Sequence, residues 1–87
     1  MSVEIQPVQV ASGEQDRGLL VFNDGWLIAV LVRLSAKHGA FAGQWFLESG
    51  YGRFSGREQL TFVDEMEAVA WFRSHLADQF VDDPWKR

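Results

Sequence analysis

The chain contains no cysteine, which excludes a disulfide staple, a thiolate metal site and a cysteine nucleophile, and suits a reducing compartment. A cytoplasmic location is the expectation. Basic residues are also scarce: eight Lys and Arg stand against twelve Asp and Glu, for a formal net charge of -4. They are scattered, so the clustered cations that track phosphates or anionic membrane surfaces are missing. Neither a nucleic-acid nor a membrane partner is expected. No apolar run approaches the length of a membrane span, and residues 1–10 carry Glu4, Gln6 and Pro7 where a signal peptide needs a positive patch and an apolar stretch.

What the chain does have is aromatic and aliphatic bulk. Of its 87 residues, 47% are hydrophobic and 14% aromatic, with four Trp and seven Phe. That composition excludes a disordered tail and implies a core built on rings. A chain this short forms one domain and hides only roughly 60% of the surface its unfolded form exposes. The expected organisation is a single domain over 1–80 and a short tail over 81–87, with no internal repeat.

Turn residues divide the chain into strands. Val3, Ile5, Val8 and Val10 surround Pro7, which has no ladder donor, so this strand belongs at an edge. Residues 11–18 are polar and read as a loop. Residues 19–22 then meet Asn23-Asp24-Gly25 and a long apolar run, and Asp-Gly between apolar runs signals a type I′ hairpin. Residues 35–43 connect to a further strand over 44–48. Glycines at 50, 52 and 56 mark a tight turn or bulge before a last strand over 60–63.

One helix follows. Asp64 is suited to cap it, with Glu67 three residues on completing a capping box. Projected at 3.6 residues per turn, Met66, Val69, Ala70, Leu76, Ala77 and Phe80 form one stripe, with Phe72 at its margin and Arg73 inside it. The stripe is expected to face the sheet, which leaves Trp71 pointing away. Pro84 prevents the helix from continuing through the tail.

The informative segment is 26–35. Trp26, Ile28, Val30, Val32 and Leu34 alternate with Leu27, Ala29 and Leu31, so both faces of this strand are apolar and both need cover. One helix covers one face. The expected surplus surface comprises Leu27, Ala29, Leu31 and Phe46 on the second sheet face, with Trp71 and Trp85 outside the core.

Residues for catalysis are sparse. His38 and His75 are the only groups that titrate near neutrality without perturbation, and neither has a partner at metal-ligand spacing. His38 with Glu48 across a hairpin is the one conceivable pair. No serine sits in a nucleophile elbow, and half of the acidic residues lie on the helix and tail. The segment Gly50-Tyr51-Gly52-Arg53-Phe54-Ser55-Gly56 lacks dinucleotide-binding spacing and leads toward a strand rather than a helix. Asp83-Pro84-Trp85 resembles short linear docking peptides, a weak pattern at three residues.

These readings define an α+β domain: an antiparallel sheet of four or five strands with a single C-terminal helix on one face, or, alternatively, a strongly curled partial barrel with the helix. The functional expectation is a non-enzymatic interaction module, self-associating as a homodimer through the second face or an edge strand, or docking another protein. No catalytic residue, metal or cofactor is assigned. The alternative is a small enzyme or apolar-ligand carrier with a cleft near residues 36–43.

Overall fold

The computed structural model describes residues 2–11, 17–57 and 60–77, with only the backbone described for His38 and Ala77. The expected 81–87 tail and most of the 11–18 loop lie outside these residues. The strands are β1 (Val3–Gln9), β2 (Arg17–Asn23), β3 (Trp26–Arg33), β4 (Trp45–Gly50) and β5 (Thr61–Phe62), followed by helix α1 (Glu65–Ala77). They form one antiparallel sheet in the order β1-β2-β3-β4-β5. β1 and β5 are its two edges, so the sheet is open rather than closed into a barrel. The α+β architecture is thus the one the turn and cap signals predict. No helix among the described residues is long and apolar enough to cross a membrane.

Local chemistry accounts for the connections. Asp24 and Gly25 have φ of 51° and 87°, the positive values that the two central positions of a type I′ turn require. Between β3 and β4 the chain forms a 3-10 helix, Ala36–Phe41, opened by Ser35, whose hydroxyl accepts from the Lys37 backbone N–H. The glycine-rich segment turns through a shorter 3-10 turn, Gly52–Phe54. Gly50 is required there: a Cβ would collide with the Phe54 carbonyl. This close approach drives the Phe54 ring into the core, while Tyr51 stays exposed.

At the start of α1 the Asp64 carboxylate accepts from the Glu67 N–H at 2.8 Å, and the Glu67 carboxylate accepts from the Val63 N–H at 3.2 Å. The reciprocal pair is the capping box read from the sequence, with Glu67 reaching one residue further back than the cap itself. At the other end, Arg53 donates to the His75 carbonyl at 2.9 Å, satisfying one of the acceptors a helix terminus leaves over.

The face of α1 that meets the sheet differs from expectation. Ala68, Phe72 and Leu76 are buried, whereas Met66, Ala70 and Arg73 are exposed, Met66 at 81%. The helix is rotated by about 100°, one residue step, from the predicted stripe. Ring burial is the reason. Phe72 meets Phe54 edge-on at 5.0 Å between centroids and Phe62 at 6.0 Å, and rings of this size outweigh a stripe completed by Ala and Met. Trp71 is corrected with it. Rather than pointing away, it is half-buried, 5.7 Å from Phe54, 5.6 Å from Phe62 and edge-on to Phe72 at 5.0 Å.

Candidate functional site

Two inserted residues decide which side chains share a sheet face. Val21 pairs with Ala29 but Phe22 pairs with Leu27, leaving Ile28 as an extra residue in β3. Val30 pairs with Ser49 but Leu31 pairs with Leu47, leaving Glu48 extra in β4. Each bulge breaks the alternation that an unbroken strand would keep. Leu27 and Ala29, two residues apart, therefore lie on opposite faces.

Ala29 and Leu31 face the helix. Both have 0% exposure and share the core with Leu19, Val21, Ile28, Leu47, Phe54, Phe62 and Phe72. The expectation that they belong to the surplus surface is corrected by the Ile28 bulge: the set read as Leu27, Ala29, Leu31 is not one face.

The opposite face follows from the register. Gly18 pairs with Val8 and Val32, Leu20 with Val30, Phe22 with Leu27, and Val32 with Phe46. Leu20, Phe22, Leu27, Val30, Val32 and Phe46 thus form one continuous apolar patch across β2, β3 and β4. Leu27 is 38% exposed, Leu20, Phe22, Val30 and Phe46 are half-buried, and Val32 is buried among its neighbours. The centre of the patch carries no charged residue. It is bordered by Glu4, Gln6 and Val8 on β1, Ser49 on β4 and Thr61 on β5. Among the described residues α1 is the only α-helix, and it packs on the other side. By this register Leu27 and Phe46 lie on the face opposite α1, whereas Ala29, Leu31 and Trp71 do not. Trp85 lies outside the described residues.

The sheet's edges are poor docking sites by comparison. β1 contains Pro7, and β5 is two residues long; both features blunt an edge against strand addition.

Other candidates are less assembled. The His38 side chain lies outside the description, and Glu48 is exposed at its bulge. Among the described residues no three His, Asp or Glu side chains gather as a metal site. His75 stacks on Trp71 at 4.0 Å, with Nδ1 2.9 Å from the Trp71 carbonyl oxygen; the carbonyl only accepts, so Nδ1 carries the proton. This histidine fastens one helical turn to the aromatic cluster. Two clefts flank β1, of about 460 and 270 Å³, and neither is lined by residues 36–43.

Comparison with protein-family models, with curated proteins and with solved structures returns no match.

Proposed function

We propose that the protein is a non-enzymatic interaction module that self-associates as a homodimer by stacking the uncovered sheet faces of two copies about a two-fold axis. The observation that supports this is the apolar patch Leu20, Phe22, Leu27, Val30, Val32 and Phe46, which no α-helix among the described residues covers. Contiguous apolar area of this kind marks interaction surfaces in small proteins. An apolar centre bordered by the polar Glu4, Gln6, Ser49 and Thr61 resembles the core and rim of an interface. A two-fold contact brings the same patch of each copy together, and two sheet faces can interdigitate at the roughly 10 Å spacing of stacked sheets. The blunted edges favour this face over strand pairing as the route to a dimer. A cytoplasmic setting belongs to the same reading, on the absence of cysteine.

The test is Leu27→Asp, which places a charge in the patch at its most exposed position. Sedimentation velocity is expected to show a dimer for the parent chain and a folded monomer for the variant, with Met66→Asp on the opposite side leaving the dimer intact. A variant that sediments like the parent chain would refute the assignment of this face.

A further inference from the structure

Helix α1 carries a second apolar surface besides the one it turns to the core. Met66, Val69, Ala70 and Arg73 follow one side of the helix and, with Glu65 and Ile5 of β1, line an open groove of about 460 Å³. Met66, Ala70 and Arg73 are exposed, Met66 at 81%, while Val69 and Ile5 are half-buried. Along the helix the groove begins at Glu65, passes its apolar residues and ends at Arg73, and among the described residues neither charge is held in an ion pair. The two charges are placed symmetrically. Each lies four residues from Val69, which is about 6 Å along the axis at 1.5 Å per residue and about 40° to either side at 100° per residue.

We propose that this groove receives α1 of a second copy of the chain, the two helices packing antiparallel about a two-fold axis beside Val69. Charge complementarity selects this occupant. An antiparallel copy of the same helix centred on Val69 sets Glu65 of each copy level with Arg73 of the other, so both ends of the contact join opposite charges. A parallel copy in register would set like charges together. Between the ends, Met66, Val69 and Ala70 of the two copies meet, and the short Ala70 side chain lets the helices approach closely. The contact is small, a few apolar side chains and two exposed ion pairs, and falls short of the area a stable interface needs. It is therefore weaker than the proposed sheet-face contact and forms at higher protein concentration. It lies on the helix side of the sheet, away from Leu27 and Phe46, and does not rest on the sheet-face reading. Where both contacts operate, this one joins dimers into larger assemblies.

The experiment is sedimentation equilibrium of the full chain in the Leu27→Asp background, at rising protein concentration, which separates this contact from the sheet face. Leu27→Asp alone is expected to move from the one-chain toward the two-chain mass as concentration rises. Adding either Arg73→Glu or Glu65→Arg, both at exposed positions, sets like charges together at both ends, and each chain is expected to stay at the one-chain mass. An equimolar mixture of these two chains is expected to regain the two-chain mass, because one carries acids at both ends of the groove and the other carries bases. A Leu27→Asp chain that stays monomeric at every concentration would overturn the proposal. So would association that persists with either charge reversed, or a mixture no heavier than its components. Failure of the sheet-face reading is read separately: the parent chain and Leu27→Asp would then sediment alike, with the charge-reversal pattern unchanged.

Discussion

Val32 and Phe46 face each other across β3 and β4 on the sheet surface opposite α1, while the adjoining pair, Leu31 and Leu47, faces the core with 0% exposure on both sides. One step of register separates the row that packs under α1 from the row on the opposite face. The two rows should respond differently to substitution.

Leu31→Ala removes a buried side chain from between Leu19 and Leu47, and such truncations cost about 2–5 kcal/mol. Leu27→Ala, on the open face, should change monomer stability by under about 1 kcal/mol. Urea unfolding of both variants at one low protein concentration checks this, since a dimer makes the midpoint concentration-dependent. Equal losses would mean that the Ile28 bulge does not divide the strand as described.

The orientation of α1 is tested by Phe72→Ala against Met66→Ala. Phe72, with 0% exposure inside the ring cluster, should cost about 3–5 kcal/mol. Met66 should cost under about 1 kcal/mol. Thermal melts followed by circular dichroism give the comparison, and the reverse order would restore the helix face read from periodicity alone.

Gly50→Ala forces a methyl group against the Phe54 carbonyl, a backbone atom that cannot rotate aside. A loss of about 1–3 kcal/mol is expected, the range for overpacking a tight site. Near-UV circular dichroism should also weaken, because the turn positions Phe54 against Trp71 and Phe72.

At the helix start, Asp64→Ala removes the acceptor of the Glu67 N–H and should lower stability by about 1 kcal/mol. Asp64→Asn, whose amide oxygen can still accept from the Glu67 N–H, should keep most of that stability, which denaturant titration of the two variants resolves.

Much of this fold is legible in the sequence because its punctuation is local. Asp24-Gly25 specifies its own turn, Pro7 its edge position, and Asp64 with Glu67 a helix start. The face assignments depend instead on long-range geometry. Ile28 and Glu48 are ordinary strand residues in sequence, and nothing local marks them as insertions; only pairing to β2 and β4 does so. Trp71 and Phe72 were misplaced for a related reason: counting apolar positions around a helix weights Ala70 like Phe72, whereas packing weights them by area. That the second face is apolar could be read from the two-sided pattern of residues 26–34. Leu27 and Phe46 could be read as its members, whereas the sides taken by Ala29, Val30, Leu31 and Val32 depend on the Ile28 bulge.

The most direct test of the central claim is the absolute mass in solution, by light scattering on a size-exclusion column at several loading concentrations. A species of twice the 9.9 kDa chain mass is expected, falling toward one chain on dilution. A constant single-chain mass at every concentration would contradict it.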